Sequence, residues 1–197
     1  MNQAIVPIVE GQAEVESVPV LLRRIFGEKG TYSLQVAKPF RVKRNRIVRH
    51  GELERAVLQS VRSRPGVGGI LVLIDADDDC PAQLGPKLLE RCQSVTQLPA
   101  AVVLATRELE CWFLGAKESL IGIRSIRPDA TTPQDPESVR GAKERLNQNM
   151  QDRRYIEVDD QPALAACMNI QQARGRCPSF DRFLREVESM ISQLIQD

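Results

Sequence analysis

Carboxylates follow three apolar segments of the chain, at the point where each segment ends. An acid at the end of a buried strand is costly to desolvate unless a positive charge meets it, and a metal ion is one such charge. Because magnesium prefers oxygen ligands, acids that gather at one place would suit the chemistry of a divalent cation. The acids in question are Glu10, Asp75, Asp77, Glu108 and Glu110.

The apolar segments predict the buried strands of a sheet. Residues 4–9, 69–74 and 100–105 are almost wholly apolar, which is typical of strands covered on both faces. Helical spacing of apolar residues follows, so strand, turn and helix alternate along the chain. This order predicts an α/β fold with a mainly parallel central sheet. Because sites in such sheets lie at the carboxyl ends of the strands, we expect the acids to converge there.

The rest of the chain predicts the domain organisation. A second extended run is expected at residues 32–36, and apolar residues at helical spacing over 180–195 predict an amphipathic C-terminal helix. We therefore expect a single compact domain. Within it, a metal-binding core at residues 1–120 carries a loop and a helical extension at residues 121–197.

The acidic loop of residues 75–79 has two competing interpretations. Asp75 and Asp77, at positions i and i+2 of an extended segment, could aim two carboxylates at one metal ion. A solvated loop accounts for this acidic sequence equally well, with Asp78 in solvent and Asp79 capping the next helix. An EF-hand is disfavoured because the sixth position of the loop is Cys80, where glycine is needed.

Several motifs resemble known families. Glu10-Gly11 and Asp75-Ala76-Asp77, each at the end of a predicted strand, resemble the two signature motifs of TOPRIM domains, which occur in primases, topoisomerases and OLD-family nucleases. The segments 10–14, 108–114 and 177–183 resemble a narrower TOPRIM-like family, called domain of unknown function 4276. The resemblance spans nearly the whole chain and implies a TOPRIM-like (Rossmann-like) three-layer sandwich.

The resemblance also implies roles for individual acids. Glu10 would act in acid–base catalysis or bind metal, and Asp75 and Asp77 would bind magnesium. Glu14 would help to bind a second metal, as in OLD-like nucleases, and Glu110 is the next expected ligand. Two divalent cations can activate a water and stabilise both the attacking and the leaving oxygen at a phosphodiester. The expected catalytic residues are Glu10, Asp75 and Asp77, with Mg²⁺ or Mn²⁺ as the cofactor.

The sequence has no clear counterpart of the tyrosine of topoisomerases or of the lysine of TOPRIM nucleases. Tyr32 and Tyr155 have no recognisable strand-passage domain around them, so DNA relaxation is not expected. Lys117 lies near Glu110 in sequence, but we expect it to be solvated and not to serve as a nuclease lysine.

A basic segment follows the second predicted strand. It concentrates five of the chain's 27 lysine and arginine residues within ten positions. Contact with phosphates and a solvated loop explain it equally well, because the formal net charge of the chain is only +1. Its residues are Arg41, Lys43, Arg44, Arg46 and Arg49.

The cysteine and histidine content argues against a zinc protein. The five cysteines are widely spaced and His50 is the single histidine, which excludes the usual spacings of zinc ligands. No secretory leader and no run of about eighteen apolar residues is present. We therefore expect a cytoplasmic protein that keeps its thiols reduced and does not enter a membrane.

Together these observations predict a metal-dependent TOPRIM-like nuclease or phosphodiesterase that acts on nucleic acid. The resemblance further implies a separate ATPase as a partner in a defence-like module. Two alternatives stay open. One is a non-catalytic regulatory or nucleic-acid-binding subunit of an ATPase complex, and the other is a phosphohydrolase of small nucleotides.

Overall fold

A five-stranded sheet forms the centre of the computed structural model, which describes residues 3–195. The strand order is β2-β1-β4-β5, with β3 also pairing with β1, and every pairing is parallel. The predicted α/β fold is therefore confirmed. The strands are β1 (Ala4–Val9), β2 (Gln35–Val36), β3 (Phe40–Arg41), β4 (Val67–Asp75) and β5 (Ala100–Ala105).

Ten α-helices occur within the described residues. None of them is long and apolar enough to cross a membrane. They are α1 (Gln12–Glu28), α2 (Arg44–Ile47), α3 (Glu52–Arg62), α4 (Pro81–Gln93), α5 (Glu110–Gly115), α6 (Lys117–Leu120), α7 (Ala142–Gln148), α8 (Glu157–Cys167), α9 (Ile170–Arg176) and α10 (Pro178–Ile195).

The sheet separates two hydrophobic clusters, so the molecule has three layers. Successive strand residues point to opposite faces, as Ile5 and Val9 do on one face and Val6 and Ile8 on the other. The first face is covered by α1 and α5 to α10, and the second by α2, α3 and α4. This is the predicted three-layer sandwich.

The helical extension shares the larger cluster with the core. Helix α8 packs along α1, and α10 packs on β5 and α9. Trp112 of α5 lies between Phe180 and Phe183, with ring centroids 5.0 and 5.2 Å away, and its indole N–H donates to Ser179 Oγ at 2.8 Å. The two segments 108–114 and 177–183 therefore meet in one aromatic contact.

Two local predictions are wrong. Of the extended run expected at residues 32–36, only Gln35 and Val36 form a strand, because a turn closed by the Leu34 N–H and the Thr31 carbonyl precedes them. Asp79 does not cap α4: Cys80 occupies the N-cap position and Pro81 begins the helix.

Candidate metal centre

Glu10 and Asp75 meet at the carboxyl ends of two neighbouring strands. Strands β1 and β4 are parallel neighbours, with Val9 opposite Leu73. Glu10, which follows β1, and Asp75, which ends β4, therefore lie at the same edge of the sheet. Glu10 Oε1 accepts the backbone N–H of Asp75 at 3.1 Å. Asp75 Oδ1 in turn accepts the N–H of Leu109 at 2.8 Å, just before α5. The two carboxylates thus connect β1, β4 and the start of α5.

The glycine that follows Glu10 leaves room for the side chain of Glu14. Glu14 lies in the first turn of α1, and its side chain folds back over Gly11. A Cβ atom at residue 11 would collide with the Glu14 carboxylate. The absence of a side chain at Gly11 therefore lets Glu14 reach the edge where Glu10 lies.

Glu14 and Glu110 are joined by one side-chain amide from the helical extension. Gln161 Nε2 donates to Glu14 Oε1 at 3.2 Å and to Glu110 Oε1 at 3.1 Å. Gln161 Oε1 accepts the hydroxyl of Ser17 at 2.6 Å, which fixes the orientation of the amide. The hydroxyl of Tyr155 also donates to Glu110 Oε1, at 3.0 Å. These four hydrogen bonds therefore hold the two carboxylates beside each other.

Each of three carboxylates keeps one buried oxygen without a partner. Glu10 Oε2, Glu14 Oε2 and Glu110 Oε2 are inaccessible to water and accept no hydrogen bond from any residue that the structure describes. In each case the other oxygen of the same carboxylate is hydrogen-bonded. Because an unpaired buried acceptor costs about 1–3 kcal/mol, three such oxygens favour a partner that would offset this cost, such as a water, a proton or a cation.

The electrostatics of the site agree with this geometry. Burial raises the pKa of Glu10 to about 7 and that of Glu110 to about 7, despite the hydrogen bonds that each accepts. Burial also raises the pKa of Asp75 well above its usual value, and the charges of Glu110, Glu10 and Glu14 raise it further. The ionised carboxylates repel one another, so the protonated forms are favoured unless a cation takes the place of the protons.

Lys143 is the lysine that interacts with these acids. Burial works to lower its pKa, but the charges of Glu110, Glu157 and Asp75 raise that pKa above its ordinary value. Its Nζ lies 3.3 Å from the Glu157 carboxylate. Lys117 instead donates to a backbone carbonyl at 2.8 Å and its side chain is only 18% exposed, so the expectation that it is solvated is wrong.

Asp77 lies at the rim of the site. Its φ of 51° is in the left-handed region, its side chain is 60% exposed, and its Oδ2 is 3.2 Å from Arg44 Nε. The Arg44 guanidinium donates to the carbonyls of Asp75 and Ala76, both at 2.9 Å. Arg44 thus holds the acidic loop in place. Beside Asp77, a cleft of about 210 Å³ lined partly by Arg107 opens to solvent.

The other residues of the basic segment lie at the surface near the carboxyl end of β1. Arg41 pairs with Val9 in the sheet, and Arg46 forms an ion pair with Glu52 at 2.6 Å. Arg41, Lys43 and Arg49 are exposed. Their role as contacts for nucleic acid stays a prediction.

The donor set fits a hard divalent cation. Within residues 3–195, no group of three or more His, Cys, Asp or Glu side chains is placed to hold a metal ion. The site nevertheless offers carboxylate oxygens only, and three of them are buried without partners. Oxygen-only donors with free lone pairs are the ligands that Mg²⁺ and Mn²⁺ prefer.

Sequence reasoning missed three side chains of this site: Gln161, Tyr155 and Lys143. Each lies in residues 121–195, more than thirty positions from the nearest acid of the core. Their segments show no motif of their own. Only the fold brings α7 against α5 and α8 against α1.

The fold defines a mixed α/β protein with a parallel central sheet and carboxylates at the carboxyl edge of that sheet. The profile of the family described as Domain of unknown function (DUF4276) matches residues 9–188, and the chain belongs to this family. The predicted family is therefore confirmed.

A solved structure supports the same fold. The chain is similar to the C-terminal region of the Burkholderia pseudomallei OLD protein, with a TM-score of 0.53 and 16% identity over 96% of this chain and 98% of that one. At this identity the likeness shows the fold alone. No curated protein matches the chain.

Proposed function

We propose that this protein is a divalent-metal-dependent phosphodiesterase that cleaves nucleic acid. One observation carries the proposal: the three unpartnered carboxylate oxygens of Glu10, Glu14 and Glu110 are buried at the carboxyl edge of a parallel sheet. The similarity to the C-terminal region of the OLD protein supports the fold in which such a site is expected. Mg²⁺ or Mn²⁺ is the proposed cofactor.

Five carboxylates would hold the metal. Glu10, Glu14 and Glu110 would supply the enclosed oxygens. Asp75 would add a carboxylate at the end of β4, and Asp77 an exposed one at the rim. When bound, one or two divalent cations supply a water of lowered pKa and a positive charge for the phosphoryl oxygens. Helix α8 contributes through Gln161, which holds Glu14 and Glu110 side by side.

Glu10 is suited to move a proton. Its Oε1 is fixed by the N–H of Asp75, while Oε2 is free. Burial raises its pKa to about 7, and a carboxyl with a pKa near the working pH is an effective acid or base.

Positive charges near the rim suit a polyanionic substrate. Arg107 and Arg140 line the cleft beside Asp77, and Lys143 faces the acids from α7. The exposed residues Arg41 and Lys43 extend the positive charge along the next strand. A separate ATPase that controls access to the site is part of this proposal.

Cleavage assays test the proposal. Purified protein is incubated with supercoiled plasmid and with single-stranded DNA and RNA, in Mg²⁺, Mn²⁺ or EDTA. We expect cleavage that needs metal and falls by at least about a hundredfold in Glu10→Gln and Asp75→Asn. Glu16→Gln, an exposed acid of α1, is the matched control and should retain full activity.

If the wild type binds metal but cleaves none of these substrates, the claim that the isolated chain is a nuclease is wrong. Activity that appears only with a nucleotide substrate would favour the phosphohydrolase alternative. Activity that is equal in wild type and Glu10→Gln would show that the cleavage comes from a contaminant.

A further inference from the structure

A pocket of about 500 Å³ opens at the free edge of the sheet, and no carboxylate lines it. Its apolar residues come from strand β3 and the turn before it, and its polar residues come from that same segment and from the end of α3. A volume of this size is typical of sites for small organic groups. The lining residues are Ala37, Lys38, Pro39, Phe40, Arg41, Ser63 and Arg64.

The pocket carries three positive charges without counter-charges. Across the described residues, no carboxylate oxygen lies within 4.0 Å of the charged groups of Lys38, Arg41 or Arg64. The one side-chain partner of Arg64 is the neutral amide oxygen of Gln35, at 3.2 Å. By contrast, Arg44, three residues after Arg41, pairs with Asp77 and donates to backbone carbonyls. Unpaired cations beside an apolar wall suit a ligand that combines anionic and aromatic groups.

The segments that line the pocket pair with strand β1, which also carries Glu10 at its carboxyl end. Arg41 lies opposite Val9, the residue before Glu10. Arg64 contacts Gln35, which lies opposite Ala4 at the other end of β1. At a rise of about 3.3 Å per residue, the cations extend roughly 17 Å along this edge, starting beside the acids.

We infer that this pocket binds a single-stranded flank of the nucleic acid whose phosphodiester lies at the metal centre. The inference rests on the proposed function and adds the strandedness of the substrate. The cations contact successive phosphates, and an unpaired base lies against the ring of Phe40.

The apolar floor favours a single strand over a duplex. A base can stack on a protein side chain only when it has left its neighbours in the helix, as happens in single strands, bulges and ends. Paired bases in a duplex would present only phosphates, for which Pro39 and Phe40 offer nothing. The apolar surface of Pro39 and Phe40, together with the three positive charges of the pocket, therefore favours unpaired nucleotides.

Binding in the absence of cleavage tests the inference. Fluorescence anisotropy of a labelled 12-nucleotide strand and of the matching duplex is measured in EDTA and again in Ca²⁺. We expect the Lys38→Gln/Arg64→Gln double variant to weaken single-strand binding by about tenfold or more and to reduce the salt slope by roughly 1.4. Phe40→Leu, which preserves apolar volume, should weaken the single strand while leaving the duplex unchanged.

Lys87→Gln is the matched control, because Lys87 is an exposed lysine of α4 outside the pocket. It should bind like the wild type, and all variants should keep the wild-type melting temperature. Equal losses for strand and duplex, or no loss in either variant, would overturn the inference. Full displacement of the strand by a stoichiometric amount of a free mononucleotide would also overturn it, in favour of a nucleotide site.

The two proposals fail in different ways. Variant-sensitive binding of the single strand without any metal-dependent cleavage would refute the phosphodiesterase and leave this pocket standing. Cleavage that depends on Glu10, together with unchanged binding in the pocket variants, would refute the pocket alone.

Discussion

The side-chain amide of Gln161 connects Glu14 to Glu110. A single nitrogen lies 3.2 Å from Glu14 Oε1 and 3.1 Å from Glu110 Oε1, and both carboxylates are buried. Two adjacent buried acids would repel each other, so the amide supplies partial positive charge between them. The second oxygen of each acid stays free. A residue from the helical extension thus organises the acids of the core.

Replacing Gln161 should affect the acids on both sides. Gln161→Leu removes the donor and leaves the buried Glu14 Oε1 unpaired, while Glu110 Oε1 keeps only the Tyr155 hydroxyl. We therefore expect the metal-free protein to lose about 1–3 kcal/mol of its free energy of unfolding. Urea denaturation in EDTA measures this loss. Gln171→Leu, at an exposed position of α9, is the control and should change stability by less than about 0.5 kcal/mol.

Neutralising Glu110 should stabilise the protein while removing metal binding. Ionised Glu110 is fully buried and burial raises its pKa to about 7, so its charge is unfavourable at pH 8. Glu110→Gln should raise the free energy of unfolding in EDTA at pH 8 by about 1–3 kcal/mol. The increase in melting temperature that Mn²⁺ gives the wild type should disappear in this variant. A variant that is less stable than wild type in EDTA would contradict this account.

The stability of the metal-free protein should fall as the pH rises from about 5 to 8. Burial raises the pKa of Glu10 and Glu110 from 4.5 to about 7, so the folded state retains protons that the unfolded state has released. Their contribution is fully present below pH 4.5 and is lost as the pH passes through about 7. Thermal unfolding in EDTA across this range measures the slope. Glu10→Gln/Glu110→Gln should flatten it.

Arg44 should act on the site itself, unlike its neighbours in the basic segment. Because it holds the carbonyls of Asp75 and Ala76, Arg44→Gln should reduce the turnover of a small diester such as bis(p-nitrophenyl) phosphate by about tenfold. Lys43→Gln, at an exposed position, should leave small-diester turnover unchanged and weaken only nucleic-acid binding. Equal effects of both variants on the small diester would disprove this division.

The central strands could be predicted from the sequence because both of their faces are buried. Strand β5 begins and ends at the predicted residues, and β4 extends the predicted run by only a few positions. Strands β2 and β3 have two residues each, too few for any periodic pattern. Their positions depend on pairing with β1, which is a tertiary interaction.

The same distinction applies to the candidate site. Glu10 and Asp75 could be predicted because each follows a recognisable strand, and strand ends determine position in a parallel sheet. Gln161 could not be predicted, because a neutral amide on a helix of weak amphipathic pattern resembles any surface glutamine. Its importance arises only where α8 packs along α1.

Mn²⁺ binding measured by titration calorimetry at pH 8 tests the central claim most directly. The account predicts one or two Mn²⁺ ions per wild-type chain, weaker binding by at least about tenfold in Glu10→Gln, Glu14→Gln and Glu110→Gln, and wild-type binding in the exposed control Glu16→Gln. Mn²⁺ binding of equal strength in the three variants and the wild type would contradict the claim that these buried oxygens are metal ligands.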